Sequence, residues 1–235
     1  ELDHVDQYPN LDAIYDVFGK LIGQMQEGGI VIADGDEANV KELLRREKKT
    51  IQERRLQVRL FGRDVSSAYH LSSREVKDGQ QSFGVTHPDK TSHTYQLSIP
   101  GEINALNAVG CIGLCEAVSA PREKIAAGLK RFPGVWRRCE KIAERDEVIV
   151  LSDYGHHPTA VAKTVEAVKE FYPGRRLILC FQPHHRNRTR HLFLEFVTSF
   201  DQADELLLSE IYDVAGRDEV EDEAVSSQDL CDAIR

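Results

Sequence analysis

Val148-Ile149-Val150-Leu151 leads directly into Ser152-Asp153-Tyr154-Gly155-His156-His157-Pro158-Thr159, and Ala160 to Phe171 follows with apolar residues at helical spacing. That order reads as strand, loop and helix, with Pro158 accommodated in the first turn because its missing N–H would have no partner there. In open α/β sheets ligands collect at the carboxyl ends of strands. A loop carrying a carboxylate, a phenol and two imidazoles at such a place is a candidate site, against the alternative of an ordinary polar loop.

On the carboxyl side, Pro173-Gly174 turns into Leu177-Ile178-Leu179-Cys180-Phe181, a continuous apolar run of the kind found in buried parallel strands. It ends in a second polar loop, Gln182-Pro183-His184-His185-Arg186-Asn187-Arg188-Thr189-Arg190-His191. Leu192 to Phe200 reads as a helix, Glu205 to Leu208 as a strand, 216–223 as an acidic loop and Ser226 to Ile234 as a last helix. A right-handed crossover is expected to set the strands ending at Leu151 and Phe181 side by side, with both loops on one edge. Arg186, Arg188 and Arg190 beside three imidazoles suit a carboxylate or a phosphate. A zinc site is disfavoured, because adjacent His156 and His157 do not readily turn to one ion and the arginines would repel it.

On the amino side, Phe132-Pro133-Gly134-Val135 marks a boundary, and we place the domain junction near Val135. Strand, turn at Arg145-Asp146-Glu147, and strand follow from Cys139 to Leu151. Arg137 and Arg138 at the junction can hold a phosphate in bidentate fashion, or be exposed linker arginines. Further upstream, a helix over Leu11 to Gln26 carries Leu11, Ile14, Tyr15, Phe18, Leu21 and Ile22 on one face. Ile30 to Ala33 reads as a strand, followed by a turn and a helix from Glu37 to Arg46. Short alternating runs between Val58 and Ile99, split by Asp78-Gly79 and His87-Pro88-Asp89, predict antiparallel hairpins with His70, His87 and His93 on the surface.

Helices over Glu102 to Val118 and Pro121 to Arg131 come next, with Ile103, Leu106, Ala108, Val109, Ile112 and Leu114 as core candidates. Asn104 and Asn107 share a face near the first helix's start. Two amides there can read a purine edge or simply cap the helix. No G-x-x-x-x-G-K-S/T phosphate loop occurs in the chain.

The 235 residues, 41% hydrophobic and 29% charged, suit one or two folded domains. A net charge of -9 argues against bulk nucleic-acid binding, and no apolar run reaches membrane-span length. Five cysteines without paired C-x-x-C spacing read as reduced core thiols, which points to the cytoplasm. The sequence opens at Glu1 inside a polar motif and without Met, so a piece of a longer protein is expected.

Together these segments resemble the Mur ligases. Asp153-Tyr154-Gly155-His156-His157-Pro158-Thr159 and Phe181-Gln182-Pro183-His184 followed by Arg188-Thr189-Arg190 are similar to the carboxy-terminal domain of that family. Leu2-Asp3-His4-Val5-Asp6 resembles its Asp-His-x-Asp segment, Asn104-x-x-Asn107-Ala108 its Asn-x-x-Asn-Ala helix start, and Gly134-Val135-Trp136-Arg137-Arg138 its junction. The pattern departs at Ile103, where the family usually has His, and at His185-Arg186, where it usually has Arg-Tyr.

The resemblance implies an α/β fold of two domains. Residues 1–134 would be the C-terminal part of a central ATP-binding domain without its phosphate loop, and residues 135–235 a Rossmann-like amino-acid-binding domain cut short at its end. It also implies an ATP- and magnesium-dependent amide ligase of peptidoglycan synthesis, joining L-alanine to UDP-N-acetylmuramate through an acyl phosphate. By the same resemblance His4 ligates magnesium, Asn104 and Asn107 meet adenine, Asp153 the ribose, and Arg138 the γ-phosphate with Arg137 beside it. Tyr154 and His156 line the acceptor site, and His184 and Arg188 hold the acceptor carboxylate. The alternatives are a ligase that adds a peptide in place of one amino acid, and a nucleotide- or partner-binding module without catalysis.

Overall fold

The computed structural model describes residues 7–77, 79–212 and 225–234. The chain divides into two compact units, one of residues 1–75, 81–97 and 104–132, the other of residues 76–80, 98–103 and 133–235. Expected features at residues 1–6, including His4, and the acidic loop at 216–223 lie outside the described residues.

In the first unit α1 (Leu11–Gln24) starts at Asn10, whose side chain accepts the Ala13 N–H at 3.0 Å and so satisfies one of the unpaired amides of the first turn. It packs against α2 (Ala38–Arg46) and α3 (Lys48–Glu53). Tyr15 and Ile22 are buried, whereas Phe18 and Leu21 of the expected apolar face are exposed. The hydrophobic stripe is wider than the surface that α2 and α3 cover.

Among the described residues five strands form one sheet in the order β1 (Ile30–Asp34), β2 (Gln57–Gly62), β3 (Tyr69–Lys77), β4 (Gln80–Thr86), β5 (Ser92–Leu97). β1 and β2 are parallel, as are β2 and β3, and β4 runs antiparallel to β5. The expectation of hairpins alone between Val58 and Ile99 is thereby corrected. β2 reaches β1 through a helical crossover, and α3 in that crossover was not read from the sequence.

α4 (Glu102–Ala117) lies close on this sheet because it presents glycines. A Cβ at Gly110 would stand 3.0 Å from the Phe61 ring, and one at Gly113 would stand 3.1 Å from Tyr69 and 3.2 Å from Ile32. The helix propensity lost at each glycine, ~1 kcal/mol, is exchanged for that close approach. Leu106, Ala108, Val109 and Ile112 are buried as expected, but Ile103 and Leu114 are more than half exposed and do not belong to the core. α5 (Arg122–Arg131) packs on β5.

In the second unit β6 (Glu140–Arg145) and β7 (Val148–Ser152) form an antiparallel hairpin. Asp146 (φ 50°) and Glu147 (φ 64°) are both left-handed, the geometry of a two-residue turn that matches strand twist. α6 (Pro158–Phe171) follows, with Pro158 in its first turn. β8 (Ile178–Phe181) pairs in parallel with β9 (Glu205–Leu208). α7 (Arg186–His191), α8 (Phe193–Ser199) and α9 (Ser227–Ala233) complete the unit's described elements.

Val161, Val165, Phe181, Phe196, Phe200 and Leu230 form the core of this unit. α9 is closed at its start by a reciprocal cap: Ser226 Oγ accepts the Asp229 N–H at 3.1 Å, and the Asp229 carboxylate accepts the Ser226 N–H at 2.8 Å.

Three expectations are corrected here. β7 and β8 do not pair; they lie in separate two-stranded sheets, β6-β7 and β8-β9. Ile178 and Cys180 are exposed, so the run at 177–181 is buried on one side only. The cysteines are free, but Cys111, Cys180 and Cys231 are exposed and are not core thiols. Among the described residues no helix is long and apolar enough to cross a membrane.

Candidate functional site

The loop after β7 is fastened to the domain junction by one carboxylate. Asp153 Oδ2 accepts the Cys139 N–H at 2.9 Å, while Oδ1 accepts the Gly155 N–H at 2.7 Å and the Thr164 hydroxyl at 3.2 Å. The junction needs such fastening because Arg137 (φ 55°) and Cys139 (φ 48°) both sit in the left-handed region, a costly conformation for residues with a Cβ. Their neighbouring amides are engaged as well. Arg137 N–H donates to Glu140 at 2.9 Å, Arg138 N–H to the Val135 carbonyl at 3.0 Å, and Tyr154 N–H to the Arg137 carbonyl at 2.8 Å.

The outcome is a cluster of cations around an aromatic ring. The Arg137 guanidinium stands 4.5 Å from the Tyr154 ring centroid and that of Arg138 5.9 Å, both within the range of cation–π attraction. His156 meets the same ring edge-on at 5.3 Å, and its Nδ1 lies 3.1 Å from the Tyr154 carbonyl oxygen. Arg137, Arg138, Asp153, Tyr154 and His156, chosen from sequence as site residues, are therefore gathered by the structure. Burial, and then the nearby Asp153 carboxylate, push the Cys139 thiol up to about 12, so it stays protonated and is no nucleophile. Cys139 and Thr164 were missed in the sequence, since neither stands in a motif and only the fold brings them to Asp153.

Asp153→Asn tests this fastening. An amide has one acceptor oxygen where the carboxylate has two, so one of the backbone donors at Cys139 and Gly155 loses its partner. A charged acceptor lost in this way costs about 2 kcal/mol. We expect amide exchange at Cys139 and Gly155 to quicken roughly 30-fold; an unchanged rate would remove Asp153 from this role.

The second loop is shaped by His185, which is left-handed at φ 71° and precedes α7. The decad expected as a loop is thus helical from Arg186 onward. His184 stacks on Tyr212, with centroids 5.2 Å apart and planes 21° apart, and meets His185 edge-on at 4.2 Å. Backbone bonds fix this arrangement, from His185 N–H to the Tyr212 carbonyl at 3.1 Å and from Tyr212 N–H to the Pro183 carbonyl at 2.9 Å. Arg186 donates to the Val225 carbonyl at 3.0 Å and Arg188 to the His184 carbonyl at 3.4 Å. Tyr212 had no signal in the sequence beyond being an aromatic residue after a strand.

In the first unit Asn104 is half-buried and Asn107 exposed, both near the start of α4. Away from the predicted sites, His87 is buried and not on the surface as expected. Its Nε2 lies 3.1 Å from the Tyr95 hydroxyl, and its Nδ1 lies 2.9 Å from Glu116 Oε1, within ion-pair distance but without hydrogen-bond alignment. Arg122 donates to Glu116 at 2.5 Å, to Thr91 at 2.7 Å and to Asp89 at 2.9 Å. Among the described residues no three potential metal-ligating side chains converge.

Comparison with known proteins now adds to the geometry. The Mur ligase middle domain matches residues 1–115, and the Mur ligase glutamate ligase domain matches residues 137–235. A UDP-N-acetylmuramate–L-alanine ligase of Solidesulfovibrio magneticus is 38% identical over 213 residues, which cover 90% of this chain and 45% of that protein. One from Clostridium kluyveri is 36% identical over 237 residues, covering 100% of this chain and 49% of the relative. The crystal structure of the UDP-N-acetylmuramate-alanine ligase MurC from Thermotoga maritima superposes with a TM-score of 0.75 at 22% identity, over 99% of this chain and 46% of that one. The chain thus spans about half the length of the curated relatives it matches. With two domain models of one family matched in sequence order along most of its residues, the chain belongs to the Mur ligase family.

Proposed function

We propose that these residues form part of an ATP-dependent ligase that joins L-alanine to UDP-N-acetylmuramate in the cytoplasm. Residues 1–134 belong to its central ATP-binding domain and residues 135–235 to its amino-acid-binding domain. The observation that carries the reading is the pair of guanidiniums at Arg137 and Arg138, gathered on the Tyr154 ring. Transfer of a γ-phosphoryl group to a carboxylate places charge on oxygens, and fixed cations stabilise it without reorganising at the moment of reaction. Sequence similarity to alanine-adding enzymes at 36–38% identity supports the choice of acceptor.

In this reading Arg138 neutralises the transferred phosphoryl group, with Arg137 beside it. Asn104 and Asn107 supply amides for adenine, and Asp153 contacts the ribose. His156 and Tyr154 line the place of the acceptor amine, while His184 and Arg188 hold its carboxylate. The stacking of His184 on Tyr212 and the bond from Arg188 to the His184 carbonyl support those two as an ordered pair. Magnesium is assigned to His4.

The test is phosphate release from ATP by the whole protein. Release is expected only when UDP-N-acetylmuramate and L-alanine are both present, with an amide product of matching amount. Stimulation by an L-alanyl peptide and not by L-alanine would replace this reading with the peptide-adding one. ATP binding with no release under any acceptor would replace it with a binding module.

A further inference from the structure

Past Phe181 and Leu208 the parallel pairing of β8 with β9 breaks off, then resumes for a single rung. Ser209 N–H still donates to the Phe181 carbonyl at 3.0 Å, and His184 and Tyr212 form an isolated parallel bridge further on. The ladder matches Phe181 with Leu208, so the stretch from Leu208 to Tyr212 is one residue longer than the stretch from Phe181 to His184. A surplus residue of this kind re-aims the side chains that follow it.

The re-aimed segment is held from several directions. The Gln182 side-chain amide donates to the Glu210 carbonyl at 3.2 Å, the Ser227 hydroxyl of α9 donates to the Ser209 carbonyl at 2.7 Å, and Ile211 is buried. Tyr212 N–H donates to the Pro183 carbonyl, and the Tyr212 carbonyl accepts the His185 N–H. His185 is the left-handed residue of this turn, so Tyr212 supplies one of the bonds that keep a costly backbone conformation in place. The Tyr212 ring is half exposed, yet it lies nearly parallel to the His184 imidazole, and the His185 ring stands roughly perpendicular to that same imidazole. Ring pairs favour a few mutual orientations over the rest, so His184 is confined by both neighbours.

We infer that Tyr212 is a positioning residue of the acceptor site: its ring fixes the plane of the His184 imidazole, and with it the direction in which that imidazole donates to the acceptor carboxylate. The inference rests on the proposed reading of His184 and Arg188 as the groups that hold this carboxylate. A hydrogen bond from an imidazole N–H lies in the ring plane, so a ring free to turn about its side-chain bonds points at the ligand only part of the time. Stacking on Tyr212 removes that freedom. Such preorganisation lowers the entropy cost of binding without adding a contact to the ligand. Arg188 shares the arrangement, since it donates to the His184 carbonyl. Tyr212 has no part in the phosphoryl chemistry of this reading, so its effect falls on acceptor affinity and not on the chemical step.

Two measurements on the whole protein test this. Tyr212→Leu keeps an apolar side chain and loses the ring, whereas Tyr212→Phe keeps the ring. In Tyr212→Leu the KM for L-alanine should rise about 5- to 10-fold, the effect of losing one aromatic pair, while kcat and the KM for ATP stay within about 2-fold of the parent. Tyr212→Phe should restore the parent KM. An unchanged KM for L-alanine in Tyr212→Leu, or a rise that Phe does not reverse, would overturn the inference. So would a fall in kcat together with a rise in every KM, which marks a merely structural role. NMR with isotope-labelled histidine keeps the inference apart from the ligase reading. The His184 ring protons should lie upfield in the parent through the Tyr212 ring current, move downfield in Tyr212→Leu, and shift in the parent when L-alanine is added beside UDP-N-acetylmuramate. An upfield, L-alanine-responsive His184 in a protein that releases no phosphate would overturn the ligase reading and leave the inference standing. A His184 indifferent to L-alanine in a protein that does ligate it would do the reverse, and the absence of both signals would overturn both.

Discussion

Arg138→Ala in the whole enzyme is expected to lower kcat for acceptor-dependent phosphate release by about 10²- to 10³-fold, the usual effect of removing one preorganised charge-stabilising donor. In the proposed role the guanidinium acts on charge that develops in the transition state and not on the resting substrate, so the KM for the acceptor should change little. Arg138 is exposed, so the variant should fold with stability within about 0.5 kcal/mol of the parent. Arg138→Lys keeps the charge and loses the planar fork, and an intermediate loss is expected. Steady-state kinetics of the three proteins checks this. Equal kcat values for Arg138→Ala and the parent would remove Arg138 from the chemistry and with it the ligase reading of the junction.

The second large effect concerns stability. His87→Ala should destabilise the first unit by about 3 kcal/mol, since the Tyr95 hydroxyl and Glu116 both lose a buried neighbour and a cavity is left in the ring cluster. Burial pushes the His87 imidazole below its ordinary value, against the opposing pull of Glu116. Below pH 6.5 the unfolded chain therefore takes up a proton that the folded chain resists, and stability falls as the pH falls.

Glu116 adds to the trend from a different starting point. Burial raises it, but the Arg122 hydrogen bond and His87 outweigh burial and bring it below its ordinary value. Its contribution is present above about pH 4.5 and is lost as pH falls through the folded value. Urea unfolding of parent and His87→Ala at pH 7, 6 and 5 is the measurement. The parent should lose stability across that range and the variant should lose less; parallel curves would show that His87 does not carry the pH dependence.

How far these results could be foreseen differs from element to element. The turn at Asp146-Glu147, the Pro158 helix start and the helix from Ser226 were legible because turn and helix-start chemistry depends on residues within four positions. The loop residues Asp153, Tyr154 and His156 were likewise legible as a cluster, as the end of an apolar strand is a local signal. His87 was not. The histidine that opens a His-Pro-Asp turn after a strand looks exposed until Glu116, 29 residues away and itself paired with Arg122, comes to meet it.

Local pattern also failed where it depended on a surface that something else must cover. Phe18, Leu21, Ile103 and Leu114 match the helical period yet lie exposed, because periodicity reports which face is apolar and not what lies over it. The 177–181 run was read as buried for the same reason, and one side of β8 is bare.

By itself the sequence determined most of the strands and helices, though not α3 or α7, together with the family and the residue types gathered at the carboxyl end of β7, since these follow from near neighbours in the chain. The tertiary structure alone decided what each of those residues holds. Asp153 became the fastening of a left-handed junction, and β7 and β8 came to lie in separate sheets, because hydrogen-bond partners and strand neighbours are chosen across distances that no local pattern encodes.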